Sequence, residues 1–396
     1  MPIPTPFHSK TAPLVESHDW RSWAGYLAAS LYEPSHDREY YAIRNAAGLI
    51  DVSPLFKYEV TGPDAVRLID RVMTRNIAKM AVGQVAYTPW CDEAGKVIDD
   101  GTVARLDAHH FRLTAADPSL RWFQDVGFGL GAQVVDVSRE LAALALQGPN
   151  SRAILQQVVT GTDMGKLRFF RLAQGSIAGK AVTITRTGYT GDLGYELWMA
   201  AADATAVWDA LMFTGADYGL LPAGMLALDI CRIEAGLLLA DVDYISAQKA
   251  IIPAQKSSPF ELGLGWAVAL DGADFIGKRA LQKEAATGSQ WAFVGVQVQW
   301  AALEHLFAAQ DLPPGVAGRA SRSSVPLYKN GRQIGQITSH TFSPILKEYI
   351  GIGTVLPEYG RSGTEVEMEF TIEYSRESAK ANIVPTPFFN PARKRA

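Results

Sequence analysis

Cysteine is nearly absent: Cys91 and Cys231 are the only two in 396 residues. That excludes a disulfide framework. Cys91 has no CxxC partner and no histidine cluster has a metal-ligand spacing, so no metal site is expected. His109-His110 are adjacent and precede a strand-like run, which fits solvated loop histidines. An excess of positive charge is also missing, with 37 Lys and Arg against 41 Asp and Glu and a net charge of -4. A nucleic-acid partner is therefore not expected, because nothing in the balance would neutralise phosphates. No apolar run approaches the length of a membrane span. The start, MPIPTPFHSK, lacks the basic-then-apolar pattern of a secretory leader. Together these absences predict a reduced, cytoplasmic setting with no membrane partner. What is present is ordinary: 48% hydrophobic and 20% charged residues, a globular composition at a length that suits two or three domains.

The chain punctuates itself. Residues 1 to about 36 are irregular and aromatic-rich, with Phe7, Trp20, Trp23, Tyr26 and Tyr32. Tyr58–Thr61 reads as a strand, and Pro63 opens a helix with Val66, Ile69, Val72 and Met73 on its apolar face. Thr102–Leu106 and Phe111–Ala115 read as paired strands. Pro118 starts a helix bearing Leu120, Phe123 and Val126. Its exit, GFGLGA, has the wrong spacing for a dinucleotide loop and reads as a glycine-rich helix stop. Leu144–Gln147 and Ala181–Thr185 are further strands, and Asp203–Phe213 is a further helix. This order predicts an α+β fold of ferredoxin-like units, not a doubly wound sheet. From Trp291 the pattern changes to alternation (Val294, Val296, Val298; Val366, Met368, Phe370, Ile372) with few helix signals. An antiparallel barrel or sandwich is expected there, with Leu306–Ser324 as a long polar loop. The reading divides the chain into 1–284 and 285–396.

Between strand Ala181–Thr185 and helix Asp203–Phe213 lies RTGYTGDLGYELW, Arg186–Trp198. Gly188, Gly191 and Gly194 permit positive φ and close backbone approach. Tyr189, Tyr195 and Glu196 stand among them. An aromatic face beside a carboxylate suits a heterocycle with adjacent N–H donors, such as a pterin or purine. A glycine-rich hairpin around a core tyrosine is the plainer alternative. Asp99 and Asp100 precede a strand, where adjacent side chains point to opposite faces, so at most one faces a given pocket. By spacing alone they read as turn aspartates.

RTGYTGDLGYE resembles the signature of the folate-dependent aminomethyltransferase family, which includes the glycine-cleavage T-protein and tetrahydrofolate-dependent demethylases. Further matching pieces follow in that family's order: AAGLIDVS (46–53), DEAGKVIDD (92–100), LQGPNS (146–151), CRIEAGLLL (231–239), FIGKRAL (275–281) and GQITSHTFSPIL (335–346). The resemblance spans nearly the whole chain. It implies a three-lobed ring of two ferredoxin-like portions and a C-terminal barrel-like domain, with tetrahydrofolate in the central hole. It implies Asp100 as the catalytic carboxylate, able to orient the folate N5, accept its proton or stabilise developing charge. It implies that Glu196 pairs with the pterin N–H edge, with Tyr87, Tyr189 and Trp266 lining the cofactor site. Arg395, in the basic Arg393-Lys394-Arg395 end, matches family residues that face the glutamyl carboxylates. A solvated terminus is the alternative there.

The departures from the T-protein pattern are local. Leu228 stands where a folate-contacting arginine is usual, Ser53-Pro54-Leu55 replaces S-H-M, Thr114 replaces an asparagine, and Ala240-Asp241 replaces tyrosine-glycine. Residues 244–258 lengthen a loop. The pterin side is kept and the second-substrate side is rewritten. The expectation is a tetrahydrofolate-dependent demethylase moving a methyl group from a small donor to N5, with a lipoyl carrier protein disfavoured as partner. An aromatic methyl ether is the favoured donor, with Tyr26, Tyr32, Trp90 and Trp122 as its aromatic walls. A methylated cation such as a sulfonium or quaternary ammonium, held by cation–π attraction, is the alternative donor, and ordinary core rings are the plainer reading of these residues. The alternatives are a T-protein aminomethyltransferase and a non-catalytic folate-binding regulatory or assembly protein.

Overall fold

The computed structural model describes residues 1–316 and 318–396. Its first two bodies share one order of elements, strand, helix, three strands, helix, strand, with one extra two-residue strand, Val159–Thr160, after the first helix of the second body. The first runs from Phe56–Thr61 through helix Ala65–Val72, strands Val85–Cys91, Val97–Asp107 and His110–Ala115, and helix Leu120–Val126, to Gln133–Asp136. Its strands form a five-stranded sheet, antiparallel at every pairing. Leu68, Ile69, Val72 and Phe123 from the two helices pack on Tyr58, Val60, Val103, Phe111 and Leu113. Helical and strand periodicities thus meet in one core. The Val66 side of the first helix is only partly buried; Ala65 and Leu68 complete the inward face.

The second body uses strands 141–147, 159–160, 172–177, 180–185, 194–200 and 220–222 and helices Ser151–Val158 and Ala204–Gly215. Strand Ala47–Asp51 joins its seven-stranded sheet beside 141–147, and 220–222 pairs with it in parallel. The mixed α+β reading is therefore the fold, and the C-terminal region is a closed β-barrel of strands 292–298, 325–329, 332–343, 348–355, 365–372 and 375–384.

One expectation for the barrel region is corrected. A helix, Trp300–Ala308, covers part of the stretch read as polar loop. Leu303 is fully buried, with Leu306 and Phe307 packed against the barrel core. The i, i+3, i+4 spacing of these three is an amphipathic signal that the strand alternation on either side obscures.

Candidate functional site

Asp99 and Asp100 lie inside strand Val97–Asp107, opposite Trp90 and Pro89. The strand alternation separates their roles. Asp99 is buried and accepts backbone N–H groups from Ala116 at 3.0 Å, Asp117 at 2.9 Å and Asp100 at 2.7 Å. It fastens the strand to the turn after His110–Ala115. Asp100 takes two phenols instead. Tyr87 donates to Oδ2 at 2.8 Å, and Tyr244 donates a short hydrogen bond to Oδ1. Burial pushes the Asp100 carboxyl above the ordinary carboxylate range, and the Tyr244 and Tyr87 hydrogen bonds partly offset it. Asp99 is pushed well above that range, first by burial and then by the neighbouring Asp100. The phenols of Tyr87 and Tyr244 are themselves pushed up by burial and by Asp100, so they serve as donors.

Gly101 makes this placement possible. A Cβ there would meet the Thr114 carbonyl oxygen at 1.9 Å. The strands instead pinch together, and Thr114 Oγ1 accepts the Thr102 backbone N–H at 2.8 Å. Thr102 shares a face with Asp100. It lines a narrow cleft with Thr114, Thr183, Thr185, Trp198 and Glu196. Glu196 projects into this cleft from strand Gly194–Ala200. Thr187 Oγ1 donates to its Oε2 at 2.7 Å and Thr185 Oγ1 more distantly at 3.5 Å. Among the described residues, both protein hydrogen bonds to this carboxylate go to that one oxygen, which leaves Oε1 for a ligand. Burial raises the Glu196 carboxyl, opposed by Thr187 and then Thr185.

Two glycines of the signature, Gly188 and Gly194, make room for a buried side chain. A Cβ on Gly188 or Gly194 would meet the Gln147 side chain at 2.1 Å. The Gln147 amide donates to the Thr187 and Tyr195 carbonyls and accepts from Thr190 Oγ1. The glycines thus seat a buried glutamine that fixes the loop carrying Glu196. Tyr189, on the same loop, donates to the Leu238 carbonyl. It is close enough to Asp100 and Asp243 for their charges to raise its phenol, after the larger effect of burial. Trp266 stacks on Tyr87 with centroids 6.0 Å apart and exposes 63% of its surface.

The structure brings Asp100, Tyr87, Tyr189, Glu196 and Trp266 into one region. The remaining expected site residues sit elsewhere. Trp90 is fully buried against Phe123 in the core of the first body, and Trp122 packs on that same core. Tyr32 is buried, and Tyr26 is half-buried in an N-terminal hairpin where burial raises its phenol. Arg395 is exposed, its guanidinium 6.0 Å from the Phe169 ring. Tyr244 is the residue that sequence reasoning missed. Its signal was the lengthened loop beginning at that position, read only as an insertion.

Behind the site, Arg232 is buried. It donates to Asp229 at 2.9 Å, Asp243 at 2.6 Å and Ser339 at 2.7 Å. The first two partners are acids, and the third comes from the barrel. Leu228, where an arginine was expected, belongs to a buried apolar cluster with Ala227 and Cys231.

A paired phenol clamp on a half-buried carboxylate lies beside a cleft holding a half-satisfied glutamate, an arrangement chemically suited to a flat, N–H-bearing ligand and to proton transfer. The GCVT N-terminal domain model matches residues 6–272, and the glycine cleavage T-protein C-terminal barrel domain model matches residues 315–390. An aminomethyltransferase from Halothermothrix orenii is 36% identical over 383 residues, covering 95% of this chain and 96% of the relative. One from Symbiobacterium thermophilum is 35% identical, covering 90% of each. The crystal structure of glycine cleavage system aminomethyltransferase T from Bartonella henselae superposes with a TM-score of 0.82 at 25% identity. It covers 98% of this chain and 99% of that one. The chain belongs to the glycine-cleavage T-protein family. It is an enzyme, a one-carbon transferase whose cofactor is tetrahydrofolate.

The residues present fit that cofactor. The open Oε1 of Glu196 suits two adjacent pterin N–H groups. Asp100 lies two strand residues from Thr102, roughly 7 Å along the same face, within the span of one fused ring system.

Proposed function

We propose that this chain is an aminomethyltransferase of the glycine-cleavage type, which takes a one-carbon unit from an aminomethylated lipoyl carrier onto tetrahydrofolate with release of ammonia. The observation that carries the reading is the Asp100–Glu196 arrangement in a chain that matches named aminomethyltransferases along almost its full length. These relatives favour the carrier-dependent reaction over the methyl-ether demethylation expected from the sequence. The burial of Trp90 and Tyr32 removes two of the aromatic walls that expectation relied on.

Bound tetrahydrofolate supplies the nitrogen nucleophile. Glu196 fixes the orientation of the bound ring. Asp100 would accept the proton that leaves that nitrogen. Tyr87 and Tyr244 hold both of its oxygens and limit its rotation, so little reorganisation is needed at the moment of transfer. Because Asp100 is raised by burial, its carboxylate takes up a proton more readily than an exposed aspartate would.

A second reading, a tetrahydrofolate-dependent demethylase with a small methylated donor, is favoured by one feature. The lengthened loop begins at Tyr244, which donates to Asp100 and would leave less room beside it for a carrier's arm than for a small donor. One assay separates the two. The enzyme is given a dihydrolipoyl carrier protein, ammonia and methylenetetrahydrofolate. In parallel it is given tetrahydrofolate with methoxybenzoates, a dimethylsulfonium acid or glycine betaine. Turnover with the carrier supports the proposal. Demethylation of a small donor with no carrier reaction overturns it in favour of the second reading.

A further inference from the structure

Asp243 is a carboxylate held from two domains, and its side chain is fully buried. Among the described residues, four donors meet it. The Arg232 guanidinium and the Leu239 backbone N–H donate to Oδ2, at 2.6 and 2.8 Å. The Thr338 and Ser339 hydroxyls of the barrel donate to Oδ1, both at 2.6 Å. Successive strand residues normally point to opposite faces. Here both reach one oxygen because strand Arg332–Ser343 is bulged: Ile337 pairs with Gly353 and Ser339 with Ile352, so Thr338 is the extra residue. A bulge re-aims a side chain at a local cost in pairing, and such irregularities gather beside active sites. Ser343, farther along the same strand, already joins the barrel to Glu234, so docking the barrel does not by itself call for the extra residue.

What Asp243 fixes is the residue after it. Tyr244 is buried, and its phenol donates to Asp100 Oδ1. Beyond Tyr244, the Ala247 N–H donates to the Val97 carbonyl at 2.8 Å. The phenol is thus held between two anchors, one on the barrel and one on strand Val97–Asp107. Around Asp100, Asp99 neighbours it on the strand, Tyr87 and Tyr244 donate to it, Asp243 acts through its charge, and Tyr189 lies near both aspartates from the signature loop. Tyr244 favours the ionised carboxylate of Asp100, and the charge of Asp243 disfavours it. Arg232 holds the other oxygen of Asp243, so losing a barrel hydroxyl leaves that charge paired.

We propose that Thr338 and Ser339 are positioning residues for proton transfer: through Asp243 they hold the Tyr244 phenol on Asp100, and so the barrel sets how readily the base ionises. The inference rests on Asp100 as the acceptor of the folate proton, the role given to it above. Neither hydroxyl bonds Asp100 itself; each acts through Asp243 and Tyr244.

The test titrates Asp100 in the full chain, labelled with 13C at the aspartate carboxyls. Its signal is the one that Asp100→Asn removes. Thr338→Val deletes one hydroxyl at near-constant shape and leaves Ser339 on Arg232. It should raise the Asp100 midpoint by roughly 0.5 to 1 pH unit, the size of one weakened hydrogen bond, and carry the acid limb of kcat/KM with it. Ser339→Ala should act in the same direction, and Thr338→Ser should restore the unaltered midpoint. In a Tyr244→Phe background, Thr338→Val should add no further shift. An unmoved midpoint, even with a lower thermal stability, would make the two hydroxyls domain fasteners and overturn the inference. An equal shift with and without the Tyr244 phenol would also overturn it, because Asp243 would then act by its charge alone. These readouts concern Asp100 and not the donor of the carbon. Absence of turnover with a carrier protein therefore sinks the proposed activity alone, while full turnover by Asp100→Asn sinks Asp100 as the base and this inference with it.

Discussion

At the scale of single residues, the proposed mechanism gives the chemistry to Asp100. Asp100→Asn keeps the shape and one of the two oxygens that accept from the phenols but removes the base. Turnover should fall at least roughly 100-fold, the lower range for a lost general base, with folate affinity largely retained in a binding titration. Equal turnover would remove Asp100 from the mechanism. Tyr244 gives a sharper test. Its hydrogen bond favours the charged carboxylate and so lowers a proton affinity that burial has raised. Activity needs Asp100 ionised, so kcat/KM rises with pH through its titration. Tyr244→Phe removes the lowering contribution, and the acid limb should move to higher pH. A limb that stays in place, or moves down, would show that Tyr244 does not act on the base. Glu196→Gln should weaken reduced-folate binding by about 1.5–3 kcal/mol, the range for a hydrogen bond to a charged group. Unchanged affinity would leave Glu196 a loop carboxylate. The resemblance pointed to Asp100 and Glu196, but spacing alone read Asp99-Asp100 as a turn. The pairing with Pro89 and Trp90 that makes them a strand is a hairpin with the preceding strand Val85–Cys91, and the turn-like spacing of the two aspartates does not by itself reveal it.

At the scale of elements, the pinch between strands Val97–Asp107 and His110–Ala115 holds the site together. Gly101→Ala would drive its methyl group into the Thr114 carbonyl. The two strands must part, which should lower the thermal midpoint and also lower turnover, because Asp100 is the preceding residue. A variant with unchanged midpoint and full activity would contradict this account of the strand pair. The elements themselves were largely legible. Helices beginning near Pro63 and Pro118, and the strands around Tyr58 and Ile184, follow from periodicity and punctuation. Helix Trp300–Ala308 was not recognised, because its three apolar residues sit between segments that alternate strongly. The aromatic residues Trp90 and Tyr32 misled for a related reason: composition shows that a ring is present but not which side of a strand or hairpin it takes.

At the scale of the whole molecule, several motifs that carried the family resemblance hold the domains together and do no chemistry. In CRIEAGLLL, Arg232 joins Asp229 and Asp243 to Ser339 of the barrel. Glu234 accepts from Arg44, Tyr40 and the barrel's Ser343. The segment GQITSHTFSPIL supplies Thr338, Ser339 and Ser343 to these same buried groups. Sequence reading could find the motifs but not this purpose, since their partners lie about a hundred residues apart. Arg232→Met leaves Asp243 buried without its cation. It should cost about 3–5 kcal/mol, as for breaking a buried ion pair, seen as a lower midpoint in thermal unfolding. A midpoint equal to that of the unaltered protein would show that the node does not couple the barrel to the rest.

The most direct measurement follows the carbon. A donor labelled with 13C at the transferred carbon, carrier-bound or methylated, is incubated with tetrahydrofolate and either the unaltered enzyme or Asp100→Asn. The folate pool is then read by mass spectrometry. The account predicts labelled folate from the unaltered enzyme, formed at least roughly 100-fold more slowly by the variant. Unlabelled folate from every donor class, or equal labelling by both proteins, would contradict it.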